Sequence, residues 1–332
     1  MEEKSAEFFE KYEITVTGTV RTRGAYRIET ERGPKLLMPY GGSENRAVFE
    51  QRVLGRLREC GFSVDGYVEN KEGKYVTQDE YGESFLLKDW YYGEECNVKK
   101  TEQVIAAVQN LAGIHKNLSG IEVSAEELPG AVQRSLPALF EKRNRELRRV
   151  RAFIREKRRK VYFETVYLNI FSEFYEKAEA ALAEAKQKDC AATLEDAKNA
   201  GNICHGMYTH HNLLLLSDGS FATVNFDKAC IGVQISDFYL FFRKLMEKTG
   251  WNRQLAEEMM EAYMAVRPVE KREWQIFYLL LSYPEKFWKI TNSYHNGKKT
   301  WIPQKTTEKL LAVKEQEREK QALLEQIICR WC

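Results

Sequence analysis

Cys204-His205-Gly206-Met207-Tyr208-Thr209-His210-His211-Asn212-Leu213-Leu214-Leu215-Leu216, continued by Ser217-Asp218-Gly219-Ser220 and Phe221-Ala222-Thr223-Val224-Asn225-Phe226-Asp227, is the most informative stretch of this chain. It reads as a polar loop, a short apolar run, an Asp-Gly turn and a second short strand. That pattern predicts a β-hairpin, because Asp-Gly readily adopts the positive-φ turn that joins twisted strands. A polar loop feeding such a hairpin brings His205, Asn212 and Asn225 together at its open end.

Phosphotransferases of the kinase kind use this layout to hold a catalytic aspartate and the magnesium ligands. The stretch resembles the aminoglycoside-phosphotransferase branch of the kinase-like fold, where the loop reads His-Gly-Asp with Asn five residues on. Here Met207 stands where the resemblance places the catalytic aspartate, while Asn212 keeps its own position. The magnesium-binding Asp-Phe pair corresponds to Asn225-Phe226. A thioether cannot take the proton of an attacking hydroxyl, and a neutral amide is a poor substitute for a carboxylate facing magnesium and phosphates. Asn212 and Asp227 remain as candidates on the cofactor side, since two residues past Asn225 on an extended strand is the same face. His205 is expected to tether the loop. The resemblance gives Asp237 the role of bracing the loop's backbone from below, although Asp237 could also simply N-cap the helix that follows.

Upstream, residues 1–93 read as an N-lobe. A short leading helix over 1–12 precedes alternating stretches at 13–20, 25–30 and 35–38, which predict three antiparallel strands. The first loop carries Gly24 alone at its tip and lacks a glycine-rich cradle for phosphates. Met38 stands where the resemblance implies the phosphate-pairing lysine. Lys35, three residues earlier, falls on the other face. Ser43 opens a helix to about Cys60. Within it Glu44 and Glu50 could supply the glutamate that pairs with that lysine; with Met38 opposite, the plainer expectation is a solvated carboxylate. Strands are expected near 66–68, 74–77 and 83–90, and the lobe boundary near Gly93.

Residues 94–332 read as a larger, mostly helical C-lobe containing the degenerate hairpin at 204–227 and a helical insertion at 124–200. Helices are expected at 101–116, 252–266, 270–282 and 306–328. Within the insertion, Lys142–Lys160 carries eleven Lys or Arg against two Glu along one amphipathic helix. Such a surface is either a dock for acidic partners or a solvated outer face. Aromatic interleaving for base stacking is thin, so nucleic acid is not the expected partner. His205, His210 and His211 could be read as a metal cluster, but no carboxylate in the loop completes a ligand set and no metal is expected. The seven cysteines are scattered apart from Cys329 and Cys332, and reduced thiols are expected.

The whole chain has 332 residues, 51 basic and 49 acidic, for a net charge of +2; 43% of residues are hydrophobic. That balance suits a globular protein and gives no global field for nucleic acid or membrane. The acidic start lacks an apolar core, so no secretory signal is expected, and no apolar run is long enough to span a bilayer.

Leu86-Leu87-Lys88-Asp89-Trp90, Asn144–Ile154, Ser282–Lys289, Asn292–Asn296 and Trp301-Ile302-Pro303, taken with the hairpin, resemble the CotS-type spore coat proteins of endospore-forming bacteria. The resemblance implies an α+β, two-lobed, protein-kinase-like fold with a small antiparallel-sheet N-lobe. It implies a structural or docking role among other spore coat proteins, with synthesis in the mother-cell cytoplasm and deposition on the spore coat. The degenerate positions Met38, Met207 and Asn225 point away from catalysis and from any requirement for ATP and magnesium. The alternatives are an active ATP-dependent phosphotransferase acting on a small hydroxyl compound or coat protein, and a nucleotide-binding pseudokinase.

Overall fold

Alternation over the first forty residues sets up the sheet. A computed structural model of the protein describes residues 8–22, 24–121, 130–297 and 304–331. The start of the leading helix, residues 124–129 of the insertion, Trp301-Ile302-Pro303 and Cys332 lie outside them. The chain forms two compact units, one of Met1–Ala131 with Gly201–Ile231 and one of Val132–Ala200 with Gly232–Cys332.

In the first unit, β1 (Val16–Thr22), β2 (Ala25–Thr30) and β3 (Lys35–Pro39) precede helix α1 (Glu44–Glu59). Then come β4 (Ser63–Val64), β5 (Val76–Gln78), β6 (Ser84–Asp89) and β7 (Glu94–Glu95), followed by helix α2 (Thr101–Asn117). Strands β1-β2-β3-β6-β5 make one antiparallel sheet. Its inward residues Ile28, Leu37 and Leu87 pack with Phe8, Phe9 and Tyr12. The 66–68 segment supplies only a bridge from Tyr67 to Lys88; the strand forms earlier, at β4.

The hairpin belongs to this unit and not to the helical one. β8 (Ile203–Cys204), β9 (Leu213–Leu215), β10 (Phe221–Thr223) and β11 (Cys230–Ile231) complete it. β10 lies between β9 and β4 in the order β4-β10-β9-β7. This pairing explains why the compact units divide differently from a boundary at Gly93. The turn is closed by Leu216 N to Ser220 O at 2.9 Å, with Asp218 Oδ1 accepting from Ser220 N at 2.9 Å. Gly219 takes a φ of 84°, which a side chain would resist.

The second unit is helical: α3 (Leu136–Glu156), α4 (Tyr162–Gln187), α5 (Cys190–Asn199), α6 (Ile235–Thr249), α7 (Arg253–Val266), α8 (Lys271–Ser282), α9 (Glu285–Asn296), α10 (Gln304–Glu315) and α11 (Glu317–Trp331). The helix expected over 306–328 is therefore two helices, and α9 adds one that periodicity did not single out. Apolar stripes meet in aromatic stacks, Phe140 on Tyr283 at 4.4 Å, Phe174 on Phe287 at 4.9 Å and Phe238 on Phe277 at 5.2 Å. The basic helix ends at Glu156, so Lys157–Lys160 of the charged run lie beyond it.

Glu285 is the polar node of this unit. It is buried and accepts from Lys289 at 2.8 Å, Arg143 at 3.2 Å and the Tyr239 hydroxyl at 2.7 Å, with Arg243 at 3.6 Å. Burial alone would raise its pKa; the guanidiniums of Arg143 and Arg243, with Lys289, outweigh that and hold the carboxyl well below the usual range. A depressed folded pKa stabilises the protein above the unfolded value of about 4.3, and that stabilisation is lost as pH falls toward the folded value. Glu285→Gln is expected to flatten the fall in melting temperature between about pH 5 and 2. Acid limbs of equal slope would remove Glu285 as a source of the acid sensitivity.

Candidate functional site

The open end of the hairpin assembles as its residue types suggested, but its hydrogen bonds are closed internally. Asn225 Nδ2 donates to Asn212 Oδ1 at 2.9 Å, and Asn212 Nδ2 donates to the Met207 carbonyl at 2.9 Å. Asn225 Oδ1 in turn accepts from the Lys88 ammonium at 2.7 Å. Lys88 can only donate and a carbonyl can only accept, so these two ends fix the orientation of both amides. Each amide oxygen that could face a cation thus already accepts from a donor within the protein.

Lys88 is also held by Asp65 Oδ2 at 2.7 Å, in a pair whose side chains are 5% and 2% exposed. The same carboxylate oxygen accepts the Asn225 backbone N–H at 2.9 Å. Asp65 arrives on the residue after β4, which pairs in parallel with β10. Lys88 arrives on β6. Three segments distant in sequence therefore meet at Asn225, whose φ of 67° turns the chain out of β10.

That turn removes the extended-strand premise for Asp227. Its side chain lies 3.3 Å from the Lys228 ammonium. Asp227 lines a cavity of about 440 Å³ together with Met38, Tyr40, Gly42, Arg46 and Glu50. Asn212 does not line this cavity.

Met207, to which the resemblance gives the place of the catalytic base, is 41% exposed. His205 is fully buried; its Nε2 lies 3.1 Å from the Val224 carbonyl and its Nδ1 accepts from Met207 N at 3.2 Å. His210 and His211 lie in a single 3-10 turn, His210–Asn212, and His205 does not join them. Asp237 sits buried in the first turn of α6, where Gln234 is the N-cap, so the capping reading of Asp237 does not hold.

Of the two α1 glutamates considered for pairing, Glu50 is not solvated and Glu44 is partly buried. Glu50 is fully buried and accepts from Tyr67 OH at 2.7 Å, Tyr40 OH at 3.1 Å and Arg46 Nε at 2.5 Å. Burial first, then the Glu50 charge, raises the Tyr67 hydroxyl well above its ordinary range and keeps it a donor. Arg46 also donates to the Ala229 carbonyl at 2.5 Å and the Asp227 carbonyl at 3.2 Å. An arginine on the same helix thus supplies the charge that a strand lysine would bring to Glu50. Glu44 accepts the N–H groups of Tyr75 and Val76, each at 2.9 Å. Lys35 pairs with Asp89 at 2.9 Å.

Residues 5–327 match the family described as "Spore coat putative kinase YutH". The chain belongs to this spore coat family. It is similar to spore coat protein S of Bacillus subtilis (strain 168), with 21% identity over 290 residues, 85% of this chain and 80% of that protein. Among solved structures it resembles an aminoglycoside phosphotransferase from Alicyclobacillus acidocaldarius, with a TM-score of 0.83 and 20% identity over 98% of this chain and 95% of that one. A spectinomycin phosphotransferase crystallised with ADP and spectinomycin superimposes with a TM-score of 0.66 at 12% identity, covering 98% of each chain. The fold is that of the aminoglycoside phosphotransferases, as the hairpin implied.

For this YutH-family chain, sequence reasoning missed Asp65 and Lys88 as members of the site. Lys88 carried a usable signal: a lysine following Leu86-Leu87 in a strand must find a charged partner if the strand is buried. Asp65 carried none, because its partner lies on another strand.

Proposed function

We propose that the chain is a spore coat component whose kinase-like fold acts as a structural and docking element and not as a phosphotransferase. The observation that carries this reading is the Lys88–Asn225–Asn212–Met207 chain of hydrogen bonds. The residues present do not fit a magnesium-bound nucleotide. The two amide oxygens are engaged by internal donors, and an ammonium in bonding contact with Asn225 repels a dication placed there. With Met38 and Met207, the site lacks a phosphate-pairing lysine and a base, each worth orders of magnitude in rate.

The family and the relative named spore coat protein S support a destination in the coat and partners among coat proteins; synthesis in the mother cell is part of the same proposal. Among the described residues no helix is long and apolar enough to cross a membrane. On α3, Lys142, Arg145, Arg148, Arg149 and Arg155 are exposed; Lys142 lies 3.9 Å from Glu146 and Arg148 3.8 Å from Glu179, and Arg143 is tied to Glu285. Arg145, Arg149 and Arg155 form the docking surface for acidic partners. Reversing them to glutamate is expected to leave the melting temperature within about 2 °C, since surface changes cost little, and to abolish recruitment of a fluorescent fusion to the coat. Unchanged localisation would remove α3 as the dock.

The decisive measurement is the melting temperature with and without millimolar ATP and magnesium. A ligand at about a hundred times its dissociation constant adds roughly 2.7 kcal/mol, several degrees for a chain of this size. No shift is expected. A magnesium-dependent shift would overturn the reading. The cavity beside Met38 and Asp227 favours one second reading, nucleotide binding without transfer, which predicts a shift indifferent to magnesium.

A further inference from the structure

The 3-10 turn that leads into Asn212 does more than position the amide. Thr209 enters it with extended backbone, and Asn212 N closes it on the Thr209 carbonyl at 2.8 Å. The His210 and His211 rings are brought to 3.9 Å between centroids, although adjacent residues diverge on most backbones. The carboxylate missing from the loop itself comes from β7. Glu95 Oε2 lies 2.8 Å from His211 Nδ1. One ligand atom from each of Glu95, His210 and His211 falls within 4.8 Å of the others.

Both elements that carry these donors are fixed to the same strand. Glu94 and Glu95 pair with Leu215 and Leu214 of β9, and Cys96 N donates to the Leu213 carbonyl at 2.9 Å. The turn runs directly into β9 at Leu213. The backbones that carry the three donors are therefore joined through β9, which limits the conformational entropy lost on ligation.

We propose that Glu95, His210 and His211 form a binding site for a transition-metal dication of the zinc class. Two imidazoles and a carboxylate are the donor set such ions take, at about 2.0–2.2 Å each. An ion at the centre replaces the His211–Glu95 contact and leaves one tetrahedral position to solvent. The exposure of Glu95 and His211, 57% and 61%, gives the ion a path in. Bound there, it ties β7 to the loop that carries Met207 and Asn212. Oxygen-preferring magnesium would not take this donor set, so the site is separate from any nucleotide-associated ion.

The test is calorimetric titration of zinc chloride into the full chain, freed of any affinity tag and of metal. Cys329→Ser and Cys332→Ser are included so that terminal thiols cannot contribute. One zinc per chain is expected at pH 7.5. Glu95→Gln, His210→Ala and His211→Ala should each weaken binding by at least about ten-fold. Absence of stoichiometric zinc, or equal affinity in all three variants, overturns the proposal. Circular dichroism of the variants, whose substituted side chains lie outside the core, checks that the fold is retained.

Discussion

Lys88→Met is expected to destabilise the first unit by about 3–5 kcal/mol, the cost of leaving one partner of a buried ion pair uncompensated. Asp65 is 2% exposed and its Oδ1 makes no hydrogen bond, so Lys88 and the Asn225 backbone N–H, both on Oδ2, are its polar partners. Removing the ammonium leaves a carboxylate in apolar surroundings and an Asn225 oxygen without its donor. Asp65→Asn in the same chain should recover a large part of the loss, because replacing both charges costs less than orphaning one. Urea unfolding of the single and double variants measures this directly. A loss below about 1 kcal/mol in the single variant would place the pair in the range of exposed salt bridges and would weaken the case that Lys88 closes the site. The same variant carries functional information. Because Asn225 and Met207 still lack carboxylates, removal of the Lys88 ammonium is not expected to confer magnesium-dependent binding of ATP.

Gly206→Ala is expected to be as damaging for a different reason. Gly206 has a φ of 78°, and a Cβ there would lie 2.0 Å from the Lys228 carbonyl oxygen. Left-handed backbone costs a non-glycine residue roughly 1–3 kcal/mol, and overpacking adds about 1–3 kcal/mol. The neighbour is backbone, joined through Cys230 to β8 by the β8–β11 pairing, so it cannot give way as a flexible side chain would. We expect a loss of about 2–6 kcal/mol on these two costs, read as a fall of the urea midpoint at unchanged m-value. Gly219→Ala is the internal comparison. Its φ is 84°, but nothing lies within 4 Å of the added carbon. Only the backbone strain applies, and a smaller loss is expected. Equal losses at the two positions would show that strain alone, and not close approach, fixes Gly206.

Glycine in the loop was thus legible as a motif, while its reason was not. His-Gly at 205–206 marks the family pattern; the carbonyl that excludes a side chain lies twenty-two residues away in sequence. The same division runs through the rest of the molecule. The Asp-Gly turn, the alternation of β2 and β3 and the helical periodicity of α1 and α2 are local properties, set by backbone sterics and by which face must be apolar. They were readable, and with them the kinase-like hairpin and the absence of acids at Met207 and Asn225.

Residue chemistry by itself therefore determined the α+β fold and which residues stand in the hairpin loop at Met207, Asn212 and Asn225. Only tertiary structure decided how that site is filled. Lys88, Asp65 and Asn225 come from β6, the end of β4 and the end of β10, and their meeting depends on a parallel pairing of two residues from each of β4 and β10 across some 160 positions. Glu50 looked like a solvated helix carboxylate because burial depends on Tyr40, Tyr67 and Arg46 converging on it. Glu95 reaches His211 because β7 and the loop share β9. Charges and metal donors act over a few ångströms in space, and spacing along a chain does not report that distance once the partners lie on different strands.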